Sequence, residues 1–287
     1  MIIGDNRRAV IENIKKAAES GEFYNKVELN DPVLTSEQNK KITDSFIESR
    51  SDLSFKIKSV IADLMALTAT KIINKNTEIT GIEKIPKNLG GTIITSNHFG
   101  PLENTVIRHL TNKLGRHSLG IICQTSNFAM KGIIGFLMNY ADTIPICTDP
   151  RYLARNFMSV LKEKLVEKKQ AVLLYPEQEM WFNYRKPRPP KNGAYFYAAK
   201  LNIPIISCFV EIVDLDEDDN DEFKKVKYVL HVLDVLYPDA DKTVKENTEA
   251  MAAADYSLKK SCYERVYGKE LTYKFENSDI AGWKESL

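Results

Sequence analysis

Residues 91–104 read GTIITSNHFGPLEN. The first half is a short apolar run, rich in β-branched residues, that stops at the polar pair Ser96–Asn97. Such a run reads as a strand buried on both faces. The second half changes period. Pro101 has no amide hydrogen and a fixed φ, which suits the first position of a helix, and Gly100 then sits at its cap. Leu102, Val106, Leu110 and Leu114 recur at four-residue spacing, and Gly115 suits the helix end. The stretch is therefore strand, loop, helix, with His98 in the loop and Glu103 in the first helical turn.

Outward from this unit the same alternation continues. LGIICQT (119–125), DTIPIC (142–147), AVLLYP (171–176) and PIISCFVEIV (204–213) read as buried strands. YLARNFMSVLKEKLVEKK (152–169) reads as a helix between two of them. Strands alternating with helices predict an α/β fold with a mainly parallel central sheet flanked by helices. VKYVLHVLDVLY (226–237) reads as a late strand, and the acidic DLDEDDNDE (214–222) before it as a solvated loop. A calcium loop there would need an oxygen spacing that is absent. Three regions are expected: added N-terminal helices over 1–75, a catalytic domain over 76–240, and a C-terminal helical extension over 241–287 whose helix lies on the surface. Within the first, LSFKIKSVIADLMALTATKII (53–73) puts Ile57, Val60, Ile61, Leu64 and Ile72 on one helical face. Lys56, Lys58, Asp63 and Lys71 exclude a membrane span, leaving a helix packed on the core or one lying on a bilayer.

Composition narrows the classes. A chain of 287 residues, 43% hydrophobic, is long enough to bury a sizeable core. Forty basic against thirty-nine acidic residues give a net charge of +1, which argues against a surface built for nucleic acid. Cys123, Cys147, Cys208 and Cys262 show no metal-ligand spacing, so no metal site is expected, and three of them sit in apolar runs. A reducing, cytoplasmic setting fits, with peripheral contact to the inner face of a membrane as an option. The opening MIIGDNRRAVIENIKK is charged too early for a signal peptide. Phosphate-loop, dinucleotide and serine-elbow signatures are all missing.

His98 and Glu103 carry the chemistry. Residues five apart diverge on a continuous helix, but the turn at Gly100–Pro101 lets a first-turn carboxylate reach back to an imidazole nitrogen, as a capping glutamate does. A histidine so held at the carboxyl end of a parallel strand suits a general base acting on a hydroxyl. An ordinary helix cap beside a surface histidine has the same spacing.

The rest of the chain separates these readings. NHFGPLE (97–103) resembles the Asn-His-x-x-x-x-Asp motif of the glycerolipid acyltransferases, with Glu for Asp. YPEQEM (175–180) is similar to their Phe-Pro-Glu-Gly-Thr-Arg motif at Pro176 and Glu177. KNGAYFYAAKLNIPII (191–206) is similar to their Lys-x-Gly-Ala, helix and Ile-Pro-Ile strand. The resemblance covers about residues 80–212, with the motifs in the family's order. It implies transfer of a fatty acyl group from acyl-CoA or acyl carrier protein, as co-substrate and with no further cofactor, to a hydroxyl of a lysophospholipid or glycerol phosphate. His98 would be the base and Glu103 its orienting partner. Asn97, Glu177 and Gly193 would be substrate-binding residues, Glu177 either holding its loop or meeting an acceptor hydroxyl.

The departures are specific. Gln178, Glu179 and Met180 stand where the family has Gly-Thr-Arg, so the arginine for an acceptor phosphate is missing. In the family's second motif an arginine follows an Ile-Pro-Ile-like strand; Thr148 lies near that position, and Arg151 and Arg155 are not matches. A proline-stiffened basic cluster, Arg185, Lys186, Arg188 and Lys191, follows instead and suits a phosphate or sulfate group on either substrate. An acceptor that is a sugar or another hydroxyl compound, or a non-catalytic lipid-binding role, are the other readings.

Overall fold

The computed structural model describes residues 6–29 and 32–284. The first five residues of the opening charged segment and the last three of the C-terminal extension therefore lie outside it. Three helices come first: α1 (Arg7–Glu19), α2 (Ser36–Ser49) and α3 (Leu53–Ile73). Seven strands follow, interleaved with helices: β1 (Glu78–Thr80), β2 (Thr92–Thr95), α4 (Asn104–Lys113), β3 (Leu119–Gln124), α5 (Thr125–Phe128), α6 (Gly132–Tyr140), β4 (Thr143–Ile146), α7 (Pro150–Tyr152), α8 (Met158–Lys162), β5 (Ala171–Leu174), α9 (Gly193–Leu201), β6 (Ile205–Asp218), β7 (Lys224–Leu236) and α10 (Val244–Tyr267). π-helical turns at Leu153–Phe157 and Glu163–Glu167 extend α7 and α8.

The strands form one sheet in the order β1-β7-β6-β2-β5-β3-β4. All neighbours are parallel except β6 and β7. The expected mainly parallel sheet with flanking helices is what forms. Its two faces are written in single residues. β2 pairs Ile93 with Val172 and Ile205, and Ile94 with Leu173 and Ile206. Successive strand side chains point to opposite faces. Ile94, Leu173 and Ile206 accordingly join Phe99, Val106 and Leu110 in one core. Ile93, Val172 and Ile205 join Phe157, Leu161, Tyr195 and Met251 in the other. Gly91, just before β2, leaves room for the passing Leu165 carbonyl, which a Cβ would strike.

Two readings are corrected, and one left open is narrowed. The acidic stretch is largely strand rather than loop, because Asp214–Asp218 continue β6 beside the basic start of β7. Asp218 pairs with Lys224 in register, and Glu217 meets Lys225 at 2.7 Å. The C-terminal helix is not a surface helix. α10 packs on α9 and β6 and buries Met251, Asp255, Lys259 and Cys262. Asp255 accepts from Thr95 at 2.9 Å and from Lys259 at 2.8 Å, so polar residues hide inside by pairing with one another. α3 does not pack its apolar stripe on the core: Leu53, Ile57, Val60, Ile61, Leu64 and Ile72 are exposed, and Ala62 and Thr70 are the buried positions. Among the described residues no helix is long and apolar enough to cross a membrane. All four cysteines are free thiols.

Candidate active site

β2 and β5 lie side by side and end together, Thr95 opposite Leu174. The chain leaving β2 carries His98 and the chain leaving β5 carries Tyr175 and Glu177, so both motifs emerge at the carboxyl end of the two central strands. α4 begins three residues later than its sequence pattern predicts. Pro101–Glu103 form a turn, and Glu103 occupies the position before the helix.

From there the Glu103 carboxylate turns back. Oε1 contacts His98 Nδ1, and Oε2 accepts the backbone N–H groups of Phe99 and of Gly100, the latter at 2.8 Å. Glu103 is buried and His98 is 20% exposed, so the imidazole is reachable from solvent while its carboxylate is not. With Nδ1 held, Nε2 is the nitrogen left to meet a hydroxyl. The loop is also held from the opposite side. The Trp181 N–H donates to the His98 carbonyl at 3.0 Å, and the Asn183 N–H to that of Phe99 at 2.8 Å.

Asn97 is a strut. Its amide nitrogen donates to Val210 O at 3.0 Å and its oxygen accepts from Val210 N–H at 2.8 Å, so both ends tie β2 to β6 and neither is open to a substrate. Glu177 holds its loop. Oε2 accepts the His98 N–H at 3.1 Å and the Arg188 Nε–H at 3.2 Å, and Oε1 accepts the Arg188 N–H at 3.0 Å. Gly193 opens α9 and has open space where a side chain would begin.

The basic cluster is not one open anion site. Lys186 is buried on Asp279 at 2.6 Å. Arg185 donates to Asp214 at 2.5 Å and to the Ser278 carbonyl at 2.9 Å. Arg188 is fully buried between Glu177, the Phe23 carbonyl at 2.8 Å and the Trp181 ring. Burial pulls its guanidinium below the usual value, and the Glu177 charge opposes that pull. Lys191 is exposed, with Nζ 3.7 Å from the Tyr24 ring centroid. A stiff run of cations looks the same in sequence whether it meets a ligand or carboxylates 29 and 93 positions along the chain.

Sequence reasoning missed Tyr175. Its ring stacks on the His98 imidazole with centroids 4.1 Å apart and planes 6° from parallel. The signal available was its place just before the Pro-Glu pair. Among the described residues no group of three or more His, Cys, Asp or Glu side chains is placed to hold a metal ion.

Residues 76–211 match the protein family described as Acyltransferase. No curated protein matches the chain. Among solved structures, the chain is similar to the 1-acyl-sn-glycerophosphate (LPA) acyltransferase PlsC from Thermotoga maritima, with a TM-score of 0.51 and 16% identity. The similarity covers 82% of this chain and 99% of that one, and at this identity it speaks for the fold.

Proposed function

We propose that the protein moves a fatty acyl group from acyl-CoA or acyl carrier protein to a hydroxyl of a lysophospholipid or glycerol phosphate, a reading supported by the match of residues 76–211 to the Acyltransferase family and by the likeness of the fold to that of PlsC. The observation that carries the reading is the His98–Glu103 contact at the carboxyl end of β2, inside the matched domain.

The neutral imidazole, its Nδ1–H directed at Glu103, takes the acceptor's hydroxyl proton on Nε2 as the oxygen attacks the thioester carbonyl. The buried carboxylate offsets the positive charge that appears on the ring. Collapse of the tetrahedral intermediate expels the thiolate, which recovers the proton, and no acyl-enzyme forms. Glu177 fixes the base through the His98 backbone rather than by touching substrate. The exposed apolar face of α3, flanked by Lys56 and Lys58, would bring the site to a lipid surface.

One observation favours a second acceptor class. Arg185, Lys186 and Arg188 are committed to internal partners, and the family's motif arginine is Met180, so little fixed positive charge faces an acceptor phosphate. A sugar or other neutral hydroxyl acceptor fits that arrangement, with Lys191 as the one exposed cation of the cluster.

The test is product mass spectrometry with acyl-CoA or acyl carrier protein against phosphorylated and neutral acceptors. Acylated product that disappears in folded His98→Ala supports the reading. Parent-rate transfer by His98→Ala overturns the base, and no transfer from either donor to any acceptor favours a non-catalytic lipid-binding role.

A further inference from the structure

We propose that Tyr175 is a positioning residue that holds the His98 imidazolium through its ring face. The proposal rests on His98 acting as the base. The two rings lie 4.1 Å apart and within 6° of parallel. Two neutral aromatic rings prefer offset or edge-to-face contact, because their negative faces repel. A cation over an aromatic face is attracted instead, out to about 6 Å from the centroid. A parallel stack at this distance is offset and holds the neutral imidazole, and it gains further attraction once that ring is protonated. Proton transfer to Nε2 creates that cation, so the contact strengthens as the reaction proceeds, which is what lowers a barrier.

The attraction comes from the ring and not from a phenolate. Burial, and then the nearby Glu103 charge, hold the Tyr175 hydroxyl well above its usual value, so the phenol stays neutral. That hydroxyl is shut from solvent and lies near the Glu103 carboxylate, without a hydrogen bond of normal geometry. Glu103 grips one nitrogen of the imidazole in its plane, and Tyr175 covers one of its faces, which leaves the Nε2 edge as the exposed working side.

Three replacements separate the ring face from bulk and from the hydroxyl. Tyr175→Phe keeps the face and should stay within about twofold of the parent in kcat/KM. Tyr175→Leu removes the face and should lose roughly tenfold, the order expected of one desolvated cation–π contact. 4-Cyanophenylalanine in place of Tyr175 keeps the size and weakens the face, and should fall between them, which preserves the test if the leucine variant does not fold. Loss of the face destabilises the imidazolium, so the acid limb of the kcat/KM profile should move to lower pH, and the His98 ring signals in NMR should titrate lower with it. A merely structural role would lower activity without moving that limb. An unmoved limb and unmoved ring titration in the leucine and cyano variants, with His98→Ala inactive, would overturn the role of Tyr175 alone. Full activity in His98→Ala would instead remove the base reading, and the NMR titration would still decide whether Tyr175 holds the imidazolium.

Discussion

Glu177 and Arg188 meet at 3.0 Å with both side chains closed off from solvent, and the same Glu177 oxygen receives the His98 N–H. The pair thus joins the chain after β5 to the loop that carries the base.

Arg188→Ala should act first on stability. It strands the Glu177 carboxylate in a buried site, and breaking such a pair costs about 3–5 kcal/mol. Urea unfolding should show the loss, with Arg188→Lys recovering part of it, because a lysine cannot replace the several directions in which the guanidinium donates. A variant of unchanged stability with a raised KM would return Arg188 to an anion-binding role.

Glu103→Gln should keep the turn and slow the reaction. The amide oxygen still accepts from Phe99 or Gly100, but no negative charge faces the ring. A drop of roughly 10²-fold in kcat is expected, at the lower end of what base assistance supplies. Glu103→Asp keeps the charge and loses one methylene of reach, so it should fall less. Steady-state kinetics on folded protein decides this, and equal rates for all three would detach Glu103 from the chemistry.

The sheet was legible because its signal is local. β2, β3 and β5 are short apolar runs whose alternate residues feed two cores, as Ile93 and Ile94 do, and the edge strand β4 feeds one of them through Ile144 and Ile146. The His98–Glu103 contact was legible because five residues and one turn separate the partners. What was hidden depends on distant partners. Asp255 and Lys259 look like solvated helix residues until Thr95 and Tyr195 are seen against them. The basic cluster looked available because Asp214 and Asp279 arrive from elsewhere in the chain. The stack of Tyr175 on His98 joins the ends of two strands far apart in the chain in a way that no spacing rule encodes.

Gln178→Gly should stabilise the protein. Gln178 has φ 65°, in the left-handed region, at the position where the family motif has glycine. A side chain there costs about 1–2 kcal/mol, and glycine's greater unfolded-state freedom gives back part of it. A net gain of roughly 0.5–1 kcal/mol should appear in denaturant unfolding. No gain would mean that Gln178 makes a compensating contact.

Asp63 on α3 should make stability fall as pH rises. Burial, and then the Asp142 charge, push its carboxyl from 3.8 up to about 6, against Arg108 and Lys164. The folded chain then holds this proton more tightly than the unfolded chain does. The favourable contribution is complete below about pH 4 and is lost as pH climbs through 6. The residue keeps substantial solvent contact, so screening makes the effect modest. Asp63→Asn should melt above the parent at pH 7 and level with it at pH 4. The same difference at both pH values would remove the titration from the explanation.

α3 should dock on anionic bilayers without crossing them. Seven apolar side chains, from Leu53 to Ile72, stand in solvent on this helix, and α6, which packs beside it, exposes Ile133 and Ile134 as well. Exposed Lys56 and Lys58 flank the stripe, exposed Lys71 closes its C-terminal end, and all three would meet lipid phosphates. An apolar stripe bordered by cations suits the headgroup boundary. Flotation with vesicles containing phosphatidylglycerol should carry the protein upward, and with neutral vesicles less so. Salt should weaken the binding in part, because it screens the lysines and not the apolar contact. Ile57→Asp with Leu64→Asp removes two side chains worth roughly 2 kcal/mol each on burial, so partitioning should fall about 100-fold or more. Activity toward a short-chain, water-soluble acceptor should survive that double change, because neither residue belongs to the His98 site. Equal recovery with and without vesicles would sink the docking proposal and leave the α3 face to another occupant.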